Sequence, residues 1–290
     1  MDASAGARGF ADVVLLGRVD STNRWVVDAA RDGAAEGLVA VADEQTAGRG
    51  RRGRSWASPA GSALLCSVLF RPRLEVASLH LVPSIVALAS LDAGAAAGVA
   101  LSIKWPNDLL AGEAKVGGIL AEIVTRPADE LQARDGRIWP AIVVGIGLNL
   151  DWPPGWSPPA TTGPLAGLGA PATTVAAVAG RAVDRDELLD AFLRALDRRW
   201  ARGAPRGAPG PGAANEVMAA YREHCATIGA RVRVERANDL LEGTATGIDD
   251  DGRLLLETDA GTVALDAADV VHLRRTGPGH ATGGSGPITL

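Results

Sequence analysis

The densest chemistry in this chain lies in Gly48-Arg49-Gly50-Arg51-Arg52-Gly53-Arg54-Ser55-Trp56, where four arginines interleave with three glycines and a tryptophan closes the run. Glycine makes regular structure costly there, and unpaired guanidinium groups resist burial, so the run reads as a loop. Glycine lets the backbone approach a ligand closely. Guanidinium groups grip phosphate or carboxylate through paired hydrogen bonds, and Trp56 offers its face to a base or an apolar ring. By itself the run fits two readings: a mobile loop that orders on an anion, or a basic linker or nucleic-acid tail.

Three further segments can carry chemistry. Lys104-Trp105-Pro106-Asn107-Asp108 reads as a strand ending in a proline-set turn that displays a lysine, an amide and a carboxylate together; an ordinary Pro-Asn-Asp turn is the plain alternative. Lys115-Val116-Gly117-Gly118-Ile119-Leu120-Ala121-Glu122 opens a strand with a lysine and a glycine pair. Glycine inside a strand marks a ligand or another backbone passing close, which sets Lys115 at the mouth of a glycine-floored hollow. An edge-strand lysine beside a bulge fits equally. In Gly145-Ile146-Gly147-Leu148-Asn149-Leu150 glycines again interrupt an apolar strand, and Asn149 at its end reads either as a site amide or as a loop cap.

These segments need a frame. The pattern predicts strands over 13–16, 38–42, 62–70, 101–105, 115–124 and 141–150, the last two apolar enough for burial on both faces. Ser21-Thr22-Asn23 supplies N-cap chemistry for a helix through Arg31, with Gly33 just past its end. A second helix is expected over 76–97 with Pro83 in its first turns. Residues 151–174 read as a surface loop, Asp184-Arg185-Asp186-Glu187 as a capping box opening a helix to Trp200, and 203–212 as a flexible connector before a helix over 216–224. Beyond it the pattern changes to short strands at 231–235, 241–248, 254–258 and 262–265, with turns at Asp251-Gly252 and Ala260-Gly261. That is the pattern of a small β-barrel.

The 290 residues are 47% hydrophobic and carry a net charge of −5. An acidic chain disfavours a protein that coats DNA, so the arginine cluster is a local device. No run of about 18 apolar residues is evident, and the first residues lack the apolar core of a signal peptide. Cys66 and Cys225 are the only cysteines; they read as buried, reduced thiols of a cytoplasmic protein. His80, His224, His272 and His280 fall in no catalytic pattern.

Taken with Ser21-Thr22-Asn23 and Glu44-Gln45-Thr46-Ala47-Gly48-Arg49-Gly50, these motifs resemble the biotin protein ligases in order and spacing from about residue 13 to 273. The resemblance implies an α+β fold. A class II synthetase-like catalytic domain of mixed sheet and flanking helices would cover 13–226, and a small SH3-like β-barrel 227–275. A flexible N-terminus (1–12) and a disordered tail (276–290) would flank them. It implies two-step acyl transfer: biotin carboxylate attacks the α-phosphate of ATP, giving biotinyl-AMP and pyrophosphate. A lysine of the biotin carboxyl carrier protein or domain of an acyl-CoA carboxylase then takes the biotinyl group.

By the same resemblance the catalytic residues are Lys115, Arg51 and Asp108. Lys115 would bridge biotin carboxylate and α-phosphate, Arg51 would touch the ligand, and Asp108 would orient or deprotonate the acceptor lysine. Biotin's ureido edge would meet Ser21, Thr22, Asn23 and Gln45, whose groups both donate and accept. Arg49, Arg51, Lys115, Gly117, Gly118 and Gly147 would complete its site, with Gly145 also leaving room. ATP and adenylate would be held by Arg49, Arg51, Arg52, Arg54, Trp56 (on the adenine), Lys104, Asn107, Lys115 and Asn149. Ser21-Thr22 as a mere helix cap and Lys104 as a structural ion-pair partner stay open. ATP and Mg²⁺ are implied, the metal carried mainly by the nucleotide; DNA and membrane are not, and the chain would act as a monomer or homodimer. With no helix-turn-helix before the first strand, a repressor role is not expected. A lipoate–protein ligase and a phosphate- or nucleic-acid-binding protein are the other readings.

Overall fold

The computed structural model describes residues 9–124, 140–159, 171–203, 211–235, 240–266 and 269–272. The expected N-terminal flexibility, the C-terminal tail, most of the 203–212 connector and part of the 151–174 loop fall outside them.

Strand β1 (Asp12–Val19) leads into helix α1 (Thr22–Arg31) and returns as β2 (Leu38–Gln45), parallel to β1. Then follow β3 (Ala63–Phe70), α2 (Leu81–Ala96), β4 (Ser102–Lys104), β5 (Asp108–Ala111), β6 (Ala114–Val124) and β7 (Ala141–Asn149). They form a seven-stranded sheet in the order β1-β2-β3-β7-β6-β5-β4, antiparallel at every pair but β1–β2. Helices α3 (Val175–Ala179), α4 (Arg185–Gly203) and α5 (Pro211–Glu223) precede a second sheet. Its strands are β8 (Arg231–Glu235), β9 (Leu240–Ile248), β10 (Leu254–Thr258), β11 (Gly261–Leu265) and β12 (Asp269–His272), ordered β11-β10-β9-β8-β12 and antiparallel throughout. The fold is α+β.

Alternation along the strands assigns each face its cover. Leu38, Ala40, Leu69, Ala141 and Val143 pack with Val26 and Ala30 of α1. Their neighbours Val39, Val41, Val68, Phe70, Ile142 and Val144 pack on the other face, in the cluster that holds α2 and α4. Helix α4 buries Leu188, Leu189, Phe192, Leu193, Leu196 and Trp200, an i, i+3/i+4 stripe. Its start is capped as the sequence indicates: Asp184 Oδ1 accepts from the N–H of Asp186 and of Glu187, at 2.8 and 2.9 Å. Trp200 closes the cluster against Phe70, ring centroids 4.8 Å apart.

Four sequence expectations are corrected. Val76–Ala96 does reach the length and hydropathy of a membrane span, with an 18-residue window of mean hydropathy 1.6, but 67% of that window is buried inside the molecule. Apolarity on all sides of α2 reflects a helix enclosed by sheet and helices. Ser21 occupies the N-cap position of α1, yet its side chain makes no capping bond. Helix α5 starts at Pro211, inside the expected connector; proline suits a first helical position because its missing N–H has no partner there anyway. Strand β6 is buried on both faces only in its first half, and Ile123 is 54% exposed.

Cys66 (β3) and Cys225 are unpaired and buried. Burial pushes the Cys66 thiol up to about 12. A thiol raised this way stays neutral at physiological pH, and the stability tied to it is lost only as pH rises past the ordinary thiol range. Folded protein at neutral pH is therefore expected to resist iodoacetamide at Cys66, with labelling only in denaturant. Mass spectrometry of the native reaction would detect any adduct that contradicts this.

The second sheet docks on the turn between β4 and β5. Trp105 N donates to Thr227 Oγ1 (3.0 Å) and its Nε1 to Gly252 O (3.0 Å), while Ile103 bridges Cys225. Arg222 adds a bond from Nε to Ile248 O.

Candidate active site

Directly opposed residues of neighbouring strands share a face, so rungs across the sheet follow from the register. On the face covered by α1, one rung runs Leu69–Val143–Glu122, the next Ser67–Gly145–Leu120, and the next Leu65–Gly147–Gly118–Asp108. Val143 meets α1. At the two following positions of the same row β7 carries glycine, and the sheet opens into a cavity of about 230 Å³. A Cβ on Gly145 would overlap Asn23 Oδ1, and one on Gly147 would stand 2.7 Å from the Trp56 ring. One on Gly118 would meet nothing nearer than 3.7 Å, where Asn107 O and the end of Lys115 lie. Gly118 therefore borders open space. Gly117 does not line the cavity: its Cβ would strike Gly147 O at 2.5 Å, so its smallness serves strand packing.

One end of the cavity is a hydroxyl–amide network. Thr22 N (2.8 Å) and Thr22 Oγ1 (3.1 Å) both reach Gln45 Oε1. Ser67 Oγ lies 2.7 Å from Thr22 Oγ1 and 2.7 Å from Asn23 Oδ1. Asn23 Nδ2 donates to Leu120 O (3.1 Å) and Glu122 Oε2 (2.9 Å), which fixes its oxygen toward Ser67. Each hydroxyl owns one proton. Ser67 must donate to Asn23, since two acceptors cannot face each other at that distance, and the one Thr22 proton is then shared between Ser67 Oγ and Gln45 Oε1. Asn23, expected to meet a ureido edge, thus lines the cavity with three bonds to the protein already made. Ser21 and Gln45 line the cavity beside it, and no partner of Gln45 Nε2 or Ser21 Oγ is found among the described residues.

The other end is cationic. Lys115 Nζ stands 2.5 Å from Asp108 Oδ1 and 5.9 Å from the Trp56 ring centroid. Its backbone is pinned on both sides, N–H to Pro171 O (2.6 Å) and C=O to Thr173 N (2.9 Å). Asn107 ties the turn to β6: its Nδ2 donates to Ile119 O (2.9 Å), and Arg51 Nη1 reaches its Oδ1 at 3.5 Å. Lys104 lines the cavity and is 6% exposed. The arginine run folds as a flap: Arg49 pairs with Ser55, Gly50 N–H donates to Arg54 O (2.7 Å), and Trp56 N–H to Gly48 O (2.9 Å). Arg52, at φ +55°, forms its tip. Trp56 Nε1 is buried without a partner among the described residues, which costs about 1–3 kcal/mol and leaves a donor for a ligand's acceptor.

Of the residues named from sequence, Ser21, Thr22, Asn23, Gln45, Arg49, Arg51, Arg54, Trp56, Lys104, Asn107, Asp108, Lys115, Gly118, Gly145 and Gly147 converge on this cavity. Two more besides Gly117 do not. Arg52 Nη1 turns to Glu235 O on the second sheet (3.3 Å). Asn149 Nδ2 donates to Thr173 O (3.0 Å), so it caps a loop. Sequence reasoning missed Ser67, Glu122 and Val270, which reaches the cavity from β12. A lone serine within an apolar strand was the available signal for Ser67; nothing local marks Val270.

A model of the biotin/lipoate A/B protein ligase family matches residues 15–132, and one of the biotin protein ligase C-terminal domain matches 227–273. The biotin–[acetyl-CoA-carboxylase] ligase of Mycobacterium tuberculosis is 34% identical over 92% of this chain and 91% of its own. That of Paracoccus denitrificans is 35% identical over 88% and 98%. In three dimensions the chain resembles the Aquifex aeolicus biotin protein ligase solved in complex with biotin and ATP. The TM-score is 0.69 at 24% identity, covering 91% of this chain and 100% of that one, a likeness of fold.

Proposed function

Because the chain belongs to the biotin protein ligase family, we propose that it joins biotin to AMP at the expense of ATP and passes the biotinyl group to a lysine of a carboxylase's carrier domain. The observation that carries this reading is that one cavity has a fixed hydroxyl–amide wall at one end and Lys115, Arg51 and Lys104 at the other. The neutral wall suits a ureido group, through Ser21, Gln45 and Thr22. The cationic end suits a carboxylate meeting a phosphate.

In the first step a carboxylate oxygen bonds to the α-phosphorus, the bond to the β-phosphate oxygen breaks, and pyrophosphate leaves. Two anions must meet, so fixed positive charge supplies most of the acceleration. Lys115 is proposed to leave Asp108 and lie between them, with Arg51, Arg49, Arg54 and Lys104 about the phosphates and Trp56 against the base. In the second step the acceptor amine attacks the acyl carbon, the carbon–oxygen bond to AMP breaks, and Asp108, released by Lys115, takes the amine's proton. Asn107 holds this turn to β6. Arg52, Asn149 and Gly117 are left out of ligand contact on this account. Among the described residues no three His, Cys, Asp or Glu side chains gather as a metal cage. Magnesium is proposed as the counter-ion that ATP brings. The second sheet is proposed as an SH3-like module that covers the cavity through Val270.

The test is adenylation by the full chain with biotin or lipoate, ATP and magnesium, followed by transfer to a purified carrier domain. Pyrophosphate release with biotin and a mass gain on the acceptor are expected. Release with lipoate alone, or none with either, would overturn the reading.

A further inference from the structure

Glu122 closes the sequence motif that Lys115 opens, and its carboxylate joins two parts of the site. It sits on the rung below the glycine floor, opposite Val143, on the face that α1 covers. Its Oε2 accepts from Asn23 Nδ2 at 2.9 Å. Its Oε1 pairs with Arg49 Nη2 at 2.9 Å. Asn23 is 3% exposed and orders the hydroxyl network through Ser67. Arg49 is the first arginine of the flap, which is also anchored by Trp56 on Gly147, Arg51 at Asn107 and Arg52 at Glu235 O.

We infer that Glu122 is a positioning residue that clasps the arginine flap to the biotin end of the cavity, so that the two halves of the site are held as one unit. The inference rests on the proposed function for its kinetic consequence but not for its structural one. A carboxylate that accepts charge-assisted hydrogen bonds on both oxygens orients each donor, and the pair with Arg49 is only part-exposed: the Glu122 side chain is 22% exposed, that of Arg49 51%. Without the clasp the flap keeps its internal hairpin bonds and its anchors at Trp56, Arg51 and Arg52, and loses the tie that Arg49 makes to the biotin end. Asn23 would likewise lose an acceptor.

Glu122→Gln separates these effects. The amide oxygen still accepts from Asn23, while the charge facing Arg49 disappears. Limited trypsin digestion needs no activity, and the flap supplies its own sites at Arg49, Arg51, Arg52 and Arg54. Cleavage there, followed by mass spectrometry, is expected to rise about fivefold in Glu122→Gln, the ratio set by a part-exposed ion pair. The KM for ATP and the rate of adenylate escape are expected to rise by a similar factor, with biotin affinity within about twofold. Glu122→Asp, which keeps the charge on a shorter stem, should restore part of the protection. Wild-type cleavage in Glu122→Gln would overturn the inference. So would equal loss of biotin and ATP binding in Glu122→Gln with no recovery in Glu122→Asp, the pattern of general unfolding. If the wild-type chain formed no adenylate, the proposed function would fail, and the digestion would still judge the clasp.

Discussion

Lys115→Ala is expected to lower adenylate formation by about a thousandfold, at or beyond the upper end of what removing one stabilising donor does. Two losses combine. A cation disappears where charge develops on the phosphate, and Asp108, whose Oδ1 had stood 2.5 Å from Lys115 Nζ, is left facing two incoming anions. The Lys115 side chain is one-third exposed (33%), and its backbone stays pinned by Pro171 and Thr173, so the thermal midpoint should shift by only a few degrees. Biotin-dependent pyrophosphate exchange measures the effect, and near-normal exchange would remove Lys115 from its role. The double variant Lys115→Ala with Asp108→Asn sharpens the test. Removing the leftover carboxylate should recover about fivefold or more of the adenylation rate, because contacting charges are coupled. Transfer to the acceptor should stay impaired, since Asp108 is its proposed base.

Gly145→Ala is expected to weaken biotin binding by more than about a hundredfold and to destabilise the fold by about 2–4 kcal/mol, a typical range for overpacking combined with broken buried hydrogen bonds. The new methyl would overlap Asn23 Oδ1. Asn23 cannot give way cheaply, because its amide is bonded to Ser67, Leu120 and Glu122. Gly118→Ala is the contrasting control. Its methyl meets no protein atom nearer than 3.7 Å, so stability should hold while the cavity shrinks. Calorimetric titration with biotin and thermal denaturation read both variants. Tight biotin binding by Gly145→Ala would show that the network does not shape the pocket.

These contrasts show where the sequence was readable. Glycine is informative wherever it interrupts an apolar strand, and Gly117, Gly118, Gly145 and Gly147 all stood out for that reason. Their partners are a different matter. Gly145 yields to Asn23, Gly147 to Trp56, Gly117 to a neighbouring carbonyl and Gly118 to open space. Spacing along a strand says which face a residue takes, but what stands on that face is settled by segments far away in sequence. Arg52 shows the same limit: it shares the composition of its neighbours but turns to Glu235, because a backbone at φ +55° aims it away from the cavity.

The sequence by itself determined the inventory and the order of parts: near-continuous apolar strands, the capped amphipathic α4, the arginine–glycine run, and the motifs built on Lys115 and Asp108. These are local properties, carried by periodicity, turn chemistry and residue type. Tertiary structure alone decided which groups meet. It paired Lys115 with Asp108 across a bulged β5–β6 register, enlisted Ser67, Glu122 and Val270, and spent the apolar surface of α2 inside the molecule. Such pairings depend on strand register and docking between distant segments. They form because burial and hydrogen bonding are satisfied over the whole chain at once, which no local window of sequence contains.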